Sequence, residues 1–323
     1  MHDLVHDFAQ FLCKNECLHM EVGGSKEPII NSCNHEKVCH VMTTIYREDL
    51  FPDSIFSLRR MRSLLCCSSY PWGILPPNML SKLFGELTCL RALSMNEYYV
   101  IEEIPKEVGK LIHLRYLNLR GLKKRKLPEA LCFQLEELPQ GMEKLINLRH
   151  LQNYNTNSLR YIPKGIRRLS NLQTLSYFVV SGDNDEKACS LEGLKYFNLY
   201  GKLFIKRLGN VLDVNEVKTS PLKNHENLVD LSLEFEKDVD GRERTNEGDE
   251  ALFDILQPSL NLEKLQIWRC KGNTILPNWM MSLTKLRHLT LDGCSNCKHL
   301  PPLGELPSLE CLDISFMRSL KSE

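Results

Sequence analysis

Thiols and imidazoles are the side chains of this sequence best suited to chemistry, and they gather in two places. Cys294-Ser295-Asn296-Cys297 followed by His299 has the spacing of half a zinc site, two soft sulfur ligands and an imidazole close together. No second ligand pair follows at a suitable distance, and Cys294 stands three residues after Leu291 as Cys270 stands three after Ile267. That repetition favours buried structural cysteines over metal ligands. Cys33, His35, Cys39 and His40 form the second group, but it overlaps a stretch that reads as a strand. Cys13 and Cys17, four apart, suit packing on one helix face. Nowhere does the order of residues nominate a nucleophile with its base and orienting acid. The sequence therefore predicts no catalytic residue, no metal and no cofactor held by this chain alone, and leaves surface recognition as the chemistry to explain.

A recognition surface needs a scaffold, and the stretch Ile104 to Leu119, IPKEVGKLIHLRYLNL, shows its unit. Leu111, Leu114, Leu117 and Leu119 run at spacings of three, three and two. Leu117 and Leu119 then point the same way from a short strand, while Leu111 and Leu114 anchor the turn leading into it. One such coil cannot bury its leucines alone and needs copies above and below. The copies are present, with anchors at Leu64, Leu93, Leu117, Leu151, Leu175, Leu203, Leu231, Leu265, Leu289 and Leu312. Subtracting successive numbers (93−64, 117−93 and so on) gives 29, 24, 34, 24, 28, 28, 34, 24 and 23; the spacing of 23 or 24 recurs four times and lies within the leucine-rich-repeat range, and two others are 28. Ile/Leu-Pro pairs recur upstream, at Ile104-Pro105, Leu138-Pro139, Ile162-Pro163, Leu276-Pro277 and Leu300-Pro301. Proline suits an irregular outer side and not an inner strand. The fold class that follows is an α/β leucine-rich-repeat solenoid, a horseshoe with a parallel concave sheet.

On each strand the residues one before, one after and three after the anchor face the concave side. These are Tyr116, Asn118 and Arg120, then His150, Gln152 and Tyr154, then Thr174, Ser176 and Phe178. Further along come Lys202, Phe204 and Lys206, then Asp230, Ser232 and Glu234, then Lys264, Gln266 and Trp268. Tyr154, Phe178 and Trp268 share the last column, and aromatic and arginine side chains are what binding hot spots favour. The surface thus expected to bind protein centres on Tyr116, Asn118, Arg120, His150, Gln152, Tyr154, Phe178, Lys206, Glu234 and Trp268. Lysine plus arginine equals aspartate plus glutamate at 41 each, so bulk charge nominates neither nucleic acid nor membrane as a partner.

Met1 to Val22 reads as a helix, with Leu4, Val5, Phe8, Phe11 and Leu12 at helical spacing, and 21–36 as a polar loop. Val38 to Ile45 reads as a first, degenerate strand with Val41 and Thr43 inward. The longest intervals predict an irregular junction at 123–138, where the stack would break, and an exposed insertion at 236–250 followed by a helix from Glu250 to Leu256. The run Lys123-Lys124-Arg125-Lys126 reads as a solvated turn, with a nuclear-localisation or phosphate-binding patch as the alternative. Thirteen scattered cysteines, no acceptable signal peptide, no long apolar span and no N-x-S/T sequon read as an intracellular, thiol-containing chain. The end at Glu323 comes nine residues after Ile314 without a polar cap, which suggests a truncated C-terminus.

The opening residues Met1-His2-Asp3-Leu4-Val5-His6-Asp7-Phe8-Ala9-Gln10 resemble the MHD motif and following helix of plant intracellular nucleotide-binding leucine-rich-repeat disease-resistance proteins of the coiled-coil type. LPQGMEKLINLRHL (138–151), KLFIKRLGNVLDVNE (202–216), KNHENLVDLSLEF (223–235) and LPPLGELPSLECLDI (300–314) resemble the same family. The resemblance implies that residues 1–36 are the winged-helix end of a nucleotide-binding module with a linker, and 37–323 a repeat domain of about ten repeats. It makes His2 a vestigial contact to the β-phosphate of ADP, with ADP or ATP bound only in a full-length receptor. No phosphate loop of the form G-x-x-x-x-G-K-S/T is present, so nucleotide switching is not expected of this stretch. The function implied is plant innate immunity: recognition of a pathogen effector or a guarded host protein, and restraint of the receptor's nucleotide-binding module, in the cytoplasm or nucleus. The alternatives are a generic intracellular repeat scaffold and a non-functional fragment of a receptor gene.

Overall fold

One leucine per coil, matched to the same leucine in the next coil, sets the architecture. The structure, a computed structural model, describes residues 16–22, 37–45, 53–68, 73–74, 77–95, 99–100, 103–120, 135–182, 186–211, 214, 217, 221–236, 246–275 and 277–320. The chain divides into two compact units, Met1–Leu159 and Arg160–Glu323.

In the first unit, strands β1 (Cys17–Val22), β2 (His40–Ile45), β3 (Ser63–Ser68), β5 (Ala92–Met95), β7 (Tyr116–Asn118) and β8 (His150–Gln152) lie side by side in that order. All pair in parallel. The register places Val41 opposite Leu64, Leu64 opposite Leu93, Leu93 opposite Leu117 and Leu117 opposite Leu151. These side chains are fully buried or nearly so. Two short strands, β4 (Gly73–Ile74) and β6 (Tyr99–Val100), pair separately. Helix α1 (Pro77–Glu86) lays Met79, Leu80, Leu83 and Phe84 on the core, a one-sided stripe at helical spacing.

The prolines do what their fixed φ suggests. Pro105 and Pro139, at φ −61° and −67°, start the 3-10 helices Lys106–Lys110 and Gln140–Lys144, as Pro163 at φ −67° starts Lys164–Arg168 in the second unit. Successive turns stack so closely that a Cβ on Gly109 would sit 2.8 Å from the Gly141 carbonyl oxygen, and one on Gly141 2.8 Å from that of Lys106. Backbone, not a pliable side chain, blocks both positions.

The second unit contains β9 (Thr174–Leu175), then a sheet of β10 (Tyr177–Val179), β11 (Gly201–Lys206), β12 (Leu228–Glu234), β13 (Lys264–Trp268), β14 (His288–Asp292) and β15 (Cys311–Ser315), again parallel and in sequence order. Leu203, Leu231, Leu265, Leu289 and Leu312 form one inward row, and Ile205, Leu233, Ile267, Leu291 and Ile314 the next. All are buried except on the edge strand, where Leu312 and Ile314 are 41% and 38% exposed. Cys270, Cys294 and Cys297 are buried, and desolvation pushes the Cys294 thiol up to about 12. No described helix is long and apolar enough to cross a membrane.

Three expectations are corrected. Residues 17–22 are not helical but form β1, whose alternation of Leu18, Met20 and Val22 fits a strand; residues 1–15 lie outside the described set. The sheet does not break at the 123–138 junction, because Leu117 and Leu151 pair directly; residues 121–134 are likewise outside the described set. Helix α2 (Asn246–Ile255) starts four residues before the expected Glu250. Asp249, Leu252 and Phe253 are buried positions of this helix and Leu256 is buried just after it, so an acid stands where the apolar pattern should begin. Asp249 is tolerated there because its carboxylate accepts the Lys271 N–H at 2.7 Å, and the neighbouring Glu250 accepts that of Asn273 at 2.6 Å. Val41 and Thr43 point inward as expected.

Gly109→Ala is expected to destabilise the first unit by about 1–3 kcal/mol, because backbone must move to admit the methyl; an unchanged urea midpoint would contradict the packing. His225, buried in the second unit, accepts the Leu199 N–H on Nδ1 at 3.2 Å, and burial pushes its imidazole below the ordinary range against the pull of the Leu194 and Pro221 carbonyls. The unfolded imidazole protonates near 6.5 and the folded one lower, so its contribution is complete above that pH and is lost as pH falls below it. The thermal midpoint should therefore drop from pH 7.5 to 5.5, and His225→Asn, which keeps an acceptor, should flatten that drop; an equal slope in both proteins would exclude His225 as its source.

Candidate protein-binding surface

Because the side chains of a strand alternate, the buried rows fix what the other face of each sheet presents. In the first unit Tyr116 lies beside His150, with ring centroids 6.3 Å apart, and Asn118 lies beside Gln152. Asn118 ties this face together. Its Oδ1 accepts the Arg120 N–H at 2.9 Å and its Nδ2 donates to Ser94 Oγ at 3.1 Å. The Arg120 guanidinium stands 5.2 Å from the centre of the Tyr154 ring, a cation–π contact that leaves Tyr154 39% exposed. Burial, partly opposed by Asn118 and Arg120, pushes the Tyr116 phenol up; burial and then Arg149 push the His150 imidazole down. Among the described residues of β5, β7 and β8 and the two residues after β7 and β8, Arg120 is the charged side chain on this face.

Sequence reasoning passed over two residues of this face. Met42 and Leu65 are neighbours in register, each 42% exposed, in the row that continues through Ser94 to Asn118 and Gln152. Their signal was available, since each follows an inward anchor, Val41 or Leu64, by one residue.

The second unit presents a charged and aromatic face. Lys206 Nζ stands 4.8 Å from the Tyr177 ring centre, 5.5 Å from that of Phe204 and 3.8 Å from Glu234 Oε2. The two rings meet edge to face at 5.3 Å. Burial pushes Lys206 down and Glu234 up, and each partly offsets this for the other. Lys202 pairs with Asp230 at 3.1 Å, and Ser232 Oγ donates to Gln266 Oε1 at 2.9 Å. Glu234, Trp268 and Asp292 follow one another along the last column. The chain then turns sharply: Arg207 after Lys206 and Arg269 after Trp268 have φ of 58° and 56°, as Gly293 after Asp292 has 69°. An arginine in this left-handed region is strained, and the turn fixes the direction in which its predecessor leaves the sheet.

Residues 191–317 match the family described as R13L1/DRL21 LRRs. A disease-resistance protein of Solanum bulbocastanum designated RGA1 is 36% identical over 253 residues, covering 74% of this chain and 24% of that protein. An RPP13-like disease-resistance protein of Arabidopsis thaliana is 29% identical over 346 residues, covering 100% of this chain and 32% of its own length. The chain is a leucine-rich-repeat relative of plant disease-resistance proteins. It spans a third or less of either of these relatives. The crystal structure of PEPR1-AtPEP1, at 15% identity and a TM-score of 0.50 over 87% of this chain and 39% of that one, shares the fold.

Of the ten surface residues expected in this resistance-protein relative, the structure places nine on the open face of their own unit, none of them fully buried. Phe178 is the exception, with no exposed surface. Ser176 interrupts the strand between β9 and β10, and Tyr177 rather than Ser176 pairs with Phe204. One extra residue turns every later side chain over, so Phe178 falls opposite inward Ile205. His2 lies outside the described residues.

Phe178→Ala is accordingly expected to cost about 3–5 kcal/mol of stability, the usual range for emptying a buried phenylalanine site. A urea midpoint close to that of the unaltered protein would put Phe178 back on the surface.

Proposed function

We propose that this chain is the recognition part of a plant immune receptor, binding a pathogen effector or a guarded host protein through the open faces of its sheets. The observation that carries the reading is the separation of faces: leucines hold the coils together, while aromatic and charged side chains in the same strands remain available. Sequence similarity to disease-resistance proteins supports the immune setting. In a whole receptor the repeats would also restrain the nucleotide-binding module, and ligand binding would shift an autoinhibited equilibrium. The chain itself acts by binding, without catalysis and without a cofactor, in the cytoplasm or nucleus.

Trp268 and the Lys206 cluster are the anchors of this reading, since an aromatic ring and a partly dehydrated charge gain most from being covered. Pull-down and surface plasmon resonance with pathogen effectors, and with a separately expressed nucleotide-binding module of a disease-resistance protein, test it. Trp268→Ala and Tyr154→Ala should each weaken the interaction about tenfold or more, roughly 1.4 kcal/mol, without unfolding the chain. Binding as tight in both variants as in the unaltered chain would move the interface off these faces.

A further inference from the structure

The first unit also carries a row of cations that the recognition surface does not use. Arg62, Arg91, Arg115 and Arg149 each stand immediately before a strand and are exposed. Backbone hydrogen bonds link them coil to coil: the Arg91 N–H donates to the Arg62 carbonyl at 2.7 Å, Arg115 to Arg91 at 2.7 Å and Arg149 to Arg115 at 2.8 Å. Consecutive guanidinium groups therefore start from backbones roughly 4.8 Å apart, the spacing of paired strands. Two residues before Cys39, Arg62, Arg91 and Arg115 stand Lys37, Arg60, Cys89 and His113, a second row with three basic side chains. Between the rows lies a cavity of about 520 Å³, lined by Lys37, Arg60, Arg62, Arg91 and His113, by the thiols Cys39 and Cys89, and by one acid, Glu16.

Stacked like charges repel, and among the described residues lining the cavity Glu16 is the one acid set against them. Among the described residues, none of Lys37, Arg60, Arg62, Arg91, Arg115 and Arg149 takes part in an ion pair. The second unit handles the same position differently. There Glu263, Arg287 and Glu310 succeed one another, and Arg287 pairs with Glu310 at 3.2 Å. The repeat does not require a bare arginine column, so the one in the first unit calls for another explanation.

We propose that this groove binds a small anion carrying several phosphate groups. Guanidinium forks match phosphate oxygens two at a time, and a phosphate concentrates up to two charges where a carboxylate brings one. The volume lies within the range of small-molecule pockets, roughly 300–1,000 Å³. Such a ligand bridges three or more coils and offsets their mutual repulsion.

Calorimetric titration of the whole chain with inorganic tripolyphosphate at low salt tests this. Saturable one-to-one binding is expected, weakened at least tenfold in Arg62→Gln/Arg91→Gln and in Lys37→Gln/Arg60→Gln, and unchanged in Arg287→Gln. These side chains are exposed, and circular dichroism confirms that the variants fold. Absence of binding overturns the proposal, as does an equal loss in Arg287→Gln or an affinity in both double variants unchanged from that of the unaltered chain. Tighter binding of a hexaglutamate peptide than of tripolyphosphate overturns it too, and assigns the groove to an acidic protein segment.

Discussion

Each coil keeps its leucines dry only while another coil lies against it with the same leucine opposite. That matching, Leu64 to Leu93 to Leu117 to Leu151 in one unit and Leu203 to Leu231 to Leu265 to Leu289 in the other, is the constraint on which everything else rests. It is satisfied by phase and not by length. Segments of different size, including one that forms α2, can be spliced between strands so long as the next leucine arrives facing inward. The turns opposite the sheet obey a tighter rule, since Gly109 and Gly141 permit an approach that any side chain would prevent.

With the inward rows fixed, the opposite face is free to carry groups that stability alone would not select. Lys206 and Glu234 give up hydration on both sides of their pair, and the mutual attraction only partly compensates. Arg207 and Arg269 occupy backbone conformations that glycine would adopt with less strain. These costs fall at the end of the strand where the aromatic and charged column stands, and they are small beside the leucine rows that carry the coils.

The repeat pattern was legible because its signal is redundant. Ten anchors report one phase, and the register agrees at nearly all of them. What escaped notice had either a short signal or a contradictory one. Leu18, Met20 and Val22 alternate over only six residues beside a helical-looking segment, and buried Asp249 hides the first turn of α2. The arginine column sits in plain view in the sequence, but its meaning depends on strand register, which places residues 62, 91, 115 and 149 side by side. Bulk neutrality conceals it, since the balancing acids lie elsewhere.

Ser176 shows how such a surface can change. Substituting a residue on the open face alters one contact, whereas adding or removing one residue within a strand exchanges the wet and dry sides of everything beyond it until the turn restores phase. Here the insertion withdraws Phe178 into the core and brings Tyr177 against Phe204 and Lys206. Lineages carrying such repeats can therefore acquire new specificities through single-codon length variants as well as through point changes, and alignments that treat gaps within strands as noise would discard the larger of the two steps.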